Sequence, residues 1–218
     1  MNNPKLIIFD LDGTLVDAYP AIIKSFNYVM RRFGYPAQDP LTIRRAVGWG
    51  DEFLVSPFVK KADLKKMLAA YREHHTAALV KYSRVFPHAR TLLRHLVAQG
   101  YVLAVASNRP TKFSLILMRH LGVYQFFDYV LCGDRMLHGK PHPEILQRIM
   151  KKFSVSPKET MYVGDMNIDA QAGRRARVKT IIVTTGSSSL AEIKKEKPYR
   201  IIRCVADASK IIRALTLC

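Results

Sequence analysis

Two aspartates one residue apart, Asp10 and Asp12, stand directly after a short apolar run in the segment Phe9-Asp10-Leu11-Asp12-Gly13-Thr14-Leu15-Val16-Asp17. Side chains of an extended chain alternate with period two, so both carboxylates point the same way. Charges so placed repel, and a hard cation that prefers oxygen ligands, such as magnesium, compensates them. Gly13 lets the chain turn sharply away. A solvated loop turn is the bland alternative, and calcium loops use similar letters, but the distal glutamate of a calcium loop is absent. A second acidic site lies far downstream, where Met161-Tyr162-Val163 leads into Gly164-Asp165-Met166-Asn167-Ile168-Asp169. The four-residue separation puts Asp165 and Asp169 near one helix start, where both could face a single metal ion. Simple helix capping by Asp165 or Asn167 is the alternative, and the two roles can coexist.

Two further elements suit a phosphate. Ser107-Asn108 ends an apolar run, where a short hydroxyl and the following backbone N–H groups can donate to phosphate oxygens. Lys140, in Gly139-Lys140-Pro141-His142-Pro143, precedes a helical pattern in a loop stiffened by prolines. A fixed cation there would offset the carboxylates and hold a phosphoryl group.

These residues need a frame. Apolar runs at Leu6 to Phe9, Tyr101 to Ala106, Tyr129 to Cys132, Met161 to Val163, Thr180 to Val183 and Ile201 to Cys204 read as buried parallel strands. Helical patterns lie between most of them: Ala89 to Gln99 before Gly100, Lys112 to Leu121 after Pro110, and Pro143 to Phe153. The alternation predicts an α/β fold with a doubly wound parallel sheet, whose ligands bind at the carboxyl ends of the strands. From about Ala18 to Arg84 no strand is expected; Ala21 to Phe33 and Ala62 to Tyr82 read as helices. The expected organisation is a core of residues 1–17 and 85–218, with a helical insert over residues 18–84.

The 218 residues suffice for one core with an insert, and nearly half of them are apolar. No apolar run reaches the roughly 18 residues a membrane-spanning helix needs, and residues 1–5 carry no leader pattern. Cys132, Cys204 and Cys218 are odd in number and widely spaced, which suggests neither a zinc site nor a disulfide framework and points to a reducing, cytoplasmic compartment. The net charge of +18 is spread along the chain in pairs such as Arg31-Arg32, Lys65-Lys66 and Arg174-Arg175. Without aromatic interleaving, a generally basic surface is the first reading; nucleic-acid contact is not expected but stays open, as does steering of anionic substrates.

Taken in order, the motifs resemble those of the haloacid dehalogenase superfamily of phosphatases. Asp10-Leu11-Asp12-Gly13-Thr14 matches the first motif, Ser107-Asn108 the second, Lys140 the third, and Gly164-Asp165 with Asp169 the fourth. The resemblance covers nearly the whole chain and is strongest toward the phosphoglycolate phosphatase group, whose small helical cap and cap loop resemble the insert and Val47-Gly48-Trp49-Gly50. It implies a Rossmann-like core and a magnesium-dependent phosphatase. Asp10 is then the nucleophile that forms an aspartyl phosphate. Asp12 is general acid and then base. Ser107 and Asn108 hold the phosphate, and Lys140 orients Asp10. Asp10, Asp12 through its backbone carbonyl, Asp165 and Asp169 make the metal site. Arg44, Arg45 and Trp49 of the insert, with Asp17, are candidates for substrate contact, against a structural role for each.

The implied substrate is a small anionic phosphomonoester, phosphoglycolate-like or a sugar phosphate, and the implied state a monomer or homodimer. Pyrophosphatase, nucleotidase and phosphosugar mutase are alternatives on the same core, and a non-hydrolytic binder of an anionic partner is one of another class. Two positions depart from the group's pattern: His88 and Arg177 stand where glycine is usual. Neither removes a catalytic group.

Overall fold

The computed structural model describes residues 5–216; residues 1–4, where the leader reading falls, and Cys218 lie outside it. Six parallel strands form one sheet: β1 (Leu6–Phe9), β4 (Val102–Ser107), β5 (Tyr129–Cys132), β6 (Thr160–Gly164), β7 (Lys179–Val183) and β8 (Arg200–Ile202), in the order β5-β4-β1-β6-β7-β8. The helices α5 (Ala89–Ala98), α6 (Thr111–His120), α7 (Glu144–Phe153), α8 (Asn167–Arg175), α9 (Leu190–Lys195) and α10 (Ala208–Thr216) join or follow these strands. Among the described residues no helix is long and apolar enough to cross a membrane.

The central strand β1 is apolar throughout because both of its faces are covered. In β1, Ile7 and Phe9 join the core that includes Leu92, Leu96 and Leu117 of α5 and α6, while Leu6 and Ile8 pack with Ile145, Leu146 and Ile149 of α7. Every residue of β1 is buried. Burial of one such aliphatic or aromatic side chain contributes about 1.5–3 kcal/mol, so the central strand is a firm base for whatever follows it.

Between β1 and α5 the chain makes four helices: α1 (Tyr19–Arg32), α2 (Pro40–Ala46), α3 (Asp51–Val55) and α4 (Lys61–Tyr82). Helix α1 buries Ile22, Phe26, Val29 and Met30 at helical spacing, against the Met67, Leu68, Tyr71 and Leu79 side of α4. Asp39 caps α2 by accepting from the N–H groups of Leu41 and Thr42 at 2.9 and 3.0 Å.

The expectation of no strand up to Arg84 needs correction. Arg84 is not part of the helical stretch: β2 (Val16–Asp17) and β3 (Arg84–Val85) pair antiparallel, Val16 with Val85 and Asp17 with Arg84. Two-residue strands show no period, and their partner lies far away in sequence, so the pattern could not reveal them. Other differences are smaller. Strand β8 ends at Ile202, short of Cys204, and Pro143 precedes the first residue of α7, within the usual uncertainty of helix ends.

The basic pairs have a structural use. Arg31-Arg32, Arg44-Arg45, Lys151-Lys152, Arg174-Arg175 and Lys194-Lys195 each fall in the last turn of a helix. Cations there face the negative end of the helix dipole and its open carbonyls. A good part of the charge of +18 thus complements helix ends.

His88 and Arg177 both adopt the left-handed conformation, with φ of 63° and 60°. Arg177 follows the end of α8, and His88 precedes α5. An L side chain costs roughly 1–2 kcal/mol there, partly offset by the entropy glycine loses on folding. His88→Gly and Arg177→Gly should therefore each stabilise the fold by about 0.5–1 kcal/mol, read as a raised midpoint in urea unfolding with an unchanged slope.

Candidate active site

Strands β5, β4, β1 and β6 are neighbours, and the four motifs leave their carboxyl ends. Asp10 follows β1, Ser107 closes β4, Asp165 follows β6, and Lys140 stands in the connection from β5 to α7. One cleft is lined by Asp10, Asp12, Ser107, Asn108, Lys140 and Asp169.

Lys140 is the hub. Its buried Nζ lies 2.8 Å from Asp10 Oδ1 and 2.8 Å from Asp169 Oδ1, and donates to Ala106 O at 3.1 Å and to the Tyr162 hydroxyl at 3.0 Å. Burial works against its charge, but the carboxylates of Asp10 and Asp169 outweigh that and raise its pKa. Tyr162 donates in turn to Asp169 Oδ1 at 2.6 Å. Tyr162 sits mid-strand in an apolar run, so nothing in the sequence sets its hydroxyl apart from an ordinary core tyrosine.

The two downstream aspartates divide their duties. Asp169 Oδ2 accepts from the N–H groups of Asp165 and Met166 at 3.2 and 2.9 Å. Together with Lys140 and Tyr162, these donors occupy both of its oxygens, so Asp169 secures the start of α8 and positions Lys140. The capping weighed as an alternative for Asp165 or Asn167 falls to Asp169. Asp165 accepts from Thr14 Oγ1 at 2.8 Å through Oδ1, while its buried Oδ2 has no hydrogen-bond partner. Gly13, at φ 84°, and Gly186 close around that carboxylate; a Cβ at either position would collide with Oδ2.

Asp10, Asp165 and Asp169 present carboxylate oxygens within 4.8 Å of one another. Burial raises the pKa of Asp10 to about 6 despite Lys140, with Asp169 and Asp12 adding to the rise. Burial, then the charges of Asp10 and Asp169, raise that of Asp165 well above its ordinary value. A buried acidic group held against its charge, with one oxygen unsatisfied, fits a cation. Oxygen-only donors suit a hard divalent ion such as magnesium.

Asn108 ties loops together. Its Nδ2 donates to Gly48 O at 2.8 Å and to Lys140 O at 3.0 Å, and its Oδ1 accepts from Lys140 N at 2.8 Å. Its side chain is thus spent on the loop frame, while Ser107 lines the cleft beside it. Ser107 Oγ accepts from Arg109 N at 3.2 Å.

Three of the four further candidates contribute to the frame and none lines the cleft. Arg44 donates to Thr185 O and Gly186 O at 2.6 and 3.2 Å and lies 4.0 Å over the Tyr19 ring. Arg45 joins Ser187 O and Glu192 Oε2, both at 2.9 Å. Asp17 accepts from Tyr19 N at 3.2 Å at the start of α1. Trp49 is 47% exposed. The loop around it reaches the cleft through Val47, Gly48, Gly50 and Asp51 instead.

One charged cleft residue escaped the motif reading. Arg109 donates from Nε to Asp12 Oδ2 at 2.7 Å and from Nη2 to Asp12 Oδ1 at 2.8 Å, and its Nη1 lies 2.9 Å from His75 Nε2 of α4. Its place directly after Ser107-Asn108 was the only clue.

Residues 7–183 match the family of haloacid dehalogenase-like hydrolases. A phosphoglycolate phosphatase of Pseudomonas putida is 31% identical over 91% of this chain and 76% of its own length. That of Nitrosococcus oceani is 26% identical over 97% and 98%. A crystal structure described as a predicted phosphoglycolate phosphatase from Haemophilus somnus superposes with a TM-score of 0.92 at 30% identity, covering 97% of this chain and 99% of that one.

The folded pKa of Asp165 lies above its unfolded value, so its contribution to the metal-free fold is complete only below the ordinary aspartate value of 3.8 and is lost as pH rises through the folded pKa. Asp165→Asn keeps the acceptor for Thr14 and cannot ionise. At neutral pH and in chelator it should melt above wild type. Magnesium at about a hundred times its dissociation constant should stabilise wild type by about 2.7 kcal/mol and leave the variant's melting temperature unmoved.

Proposed function

The chain belongs to the haloacid dehalogenase-like hydrolases, and we propose that it is a magnesium-dependent phosphatase of small phosphomonoesters that works through an aspartyl phosphate on Asp10. The observation that carries this reading is the buried Lys140 ammonium 2.8 Å from Asp10, at the mouth where the motif loops meet. A carboxylate kept beside a fixed cation, at the end of a rigid strand, is suited to attack phosphorus.

Asp10 attacks the phosphorus, the bond to the leaving oxygen breaks, and Asp12 gives that oxygen its proton. Asp12 then removes a proton from water as the water attacks the aspartyl phosphate, which releases phosphate and restores Asp10. Ser107 and nearby backbone N–H groups donate to the phosphoryl oxygens. Lys140 holds Asp10 in line and keeps positive charge beside it. Asp169 and Tyr162 hold Lys140. Asp10 and Asp165 would bind the divalent ion together with the Asp12 backbone carbonyl; when bound, it neutralises phosphoryl charge and lets an anionic nucleophile approach an anionic ester.

In this reading helices α1 to α4 form a cap over the cleft, the β2–β3 ribbon joins it to the core, and the backbone around Gly48 reads the leaving group. The compartment is cytoplasmic. Relatives bearing the name phosphoglycolate phosphatase support a phosphoglycolate-like ester, with sugar phosphates next.

Purified protein should release phosphate from at least one ester in a panel of phosphoglycolate, sugar phosphates, nucleotides, pyrophosphate and p-nitrophenyl phosphate. Asp10→Asn should lower kcat by more than about 10³-fold, and chelator should abolish turnover reversibly. A folded, magnesium-binding protein with no turnover on any member would overturn the reading.

A further inference from the structure

The mechanism asks Asp12 to carry a proton, yet both of its oxygens are taken. Arg109 grips them with its planar fork at 2.7 and 2.8 Å. A carboxylate held in this bidentate way gives up one of the two bonds when it is protonated. The pair is nearly enclosed, with side-chain exposures of 7% for Arg109 and 16% for Asp12. A buried guanidinium deprived of its counter-ion is strongly disfavoured, so Arg109 releases Asp12 readily only when another anion arrives.

The other anions of the cleft are already matched, Asp10 and Asp169 by Lys140 and Asp51 by Arg72 at 2.7 Å. Lys140 and Arg109 are the only lysine and arginine among its lining residues, and Lys140 is committed to Asp10 and Asp169. On the helical side the wall has Ile22, Val47, Leu54 and Tyr71 as apolar members beside Asp51 and His75, and Phe113 of α6 adds an apolar group from the core. A leaving group therefore meets hydrophobic surface and a single cation beside the general acid.

Arg109 is also aimed from the helical segment. Burial, then the charges of Arg109 and His74, lower the pKa of His75 to about 2. The ring is thus neutral, and its Nε2 accepts from Arg109 Nη1. The other ring nitrogen then carries the proton toward Ser25 Oγ of α1, 3.1 Å away. Tyr71 stacks on the ring at 4.9 Å, and Phe113 meets it edge-on at 5.5 Å. The contact spans the helical segment and the sheet, so it depends on the two being together.

Resting on the phosphatase reading above, we infer that Arg109 is an anion-operated latch on Asp12 that selects phosphomonoesters of short hydroxy acids. In the free enzyme it holds the Asp12 carboxylate. The carboxylate of the bound ester takes that place, so the guanidinium still faces one negative charge. Asp12, released from the fork, is free to turn to the leaving oxygen and serve there as the acid of the mechanism above, as the Asp10–phosphorus bond forms and the phosphorus–oxygen bond breaks. An alkyl ester without a second anion leaves Asp12 latched. A nitrophenyl ester departs as a stable phenolate and bypasses the latch.

The test compares phosphoglycolate, ethyl phosphate and p-nitrophenyl phosphate in wild type, Arg109→Gln and Arg109→Lys, with magnesium present. Wild type should prefer phosphoglycolate to ethyl phosphate by about 10²-fold in kcat/KM, the scale expected for a buried charge pair made or missing. Arg109→Gln should collapse that ratio to within a few fold, with the loss on phosphoglycolate divided between KM and kcat. Arg109→Lys should recover part of it. Equal losses on all three esters in the variants, or a wild-type ratio below about threefold, would overturn the latch; the wild-type ratio decides even where a variant fails to fold. If p-nitrophenyl phosphate turnover still requires magnesium and Asp10, the phosphatase reading survives that outcome. No turnover on any ester would end both.

Discussion

The Lys140 ammonium is the contact on which the site depends. Asp10, Asp165 and Asp169 are drawn together at the carboxyl edge of the sheet, an arrangement that electrostatics opposes in a buried place. Lys140 offsets two of the three, joining Asp10 from β1 to Asp169 of α8. Its own cost of burial is met by those carboxylates, the Ala106 carbonyl and the Tyr162 hydroxyl. Take the cation away and the loops after β1 and β6 would carry mutually repelling charges into the core. What stays uncompensated is the free oxygen of Asp165, the vertex that suits a metal ion.

A second buried pair, Arg109 with Asp12, lies beside the first, and the two differ in character. Lys140 is surrounded by groups from the sheet and α8, which hold it in one place. Arg109 reaches across to His75 of α4, so part of its support comes from the helical segment. The Gly48 carbonyl makes a similar link through Asn108. Asp10 is therefore fixed by the rigid core, while Asp12 answers to the helical segment through Arg109. The division matches the chemistry proposed: attack on phosphorus is common to every phosphoester, whereas leaving groups differ.

Much of the fold was legible because buried parallel strands are apolar on both faces and stand out from helical patterns. The positive φ of His88 and Arg177 was foreshadowed by their standing where glycine is usual. The β2–β3 ribbon was not visible, since two-residue strands carry no period. The basic pairs read only as surface charge until the helix ends were placed, and five of them then fell in last turns.

By itself the sequence determined which polar residues stand at the strand ends. Asp10, Asp12, Ser107, Lys140, Asp165 and Asp169 each follow or close a hydrophobic run, and local order suffices to place them on one edge of a parallel sheet. It could not assign their bonding. That Asp169 caps and positions while Asp165 keeps a free oxygen, that Asn108 braces loops, that Arg44 turns to the carbonyls of Thr185 and Gly186, and that Trp49 stays outside the cleft were all decided by tertiary structure. So was the meeting of Arg109 with Asp12, 97 residues apart, and with His75, 34 residues apart. The physical reason is that a polar side chain's role is set by the partners that satisfy it once water is removed, and those partners come from distant segments that only the packed sheet and helices bring together.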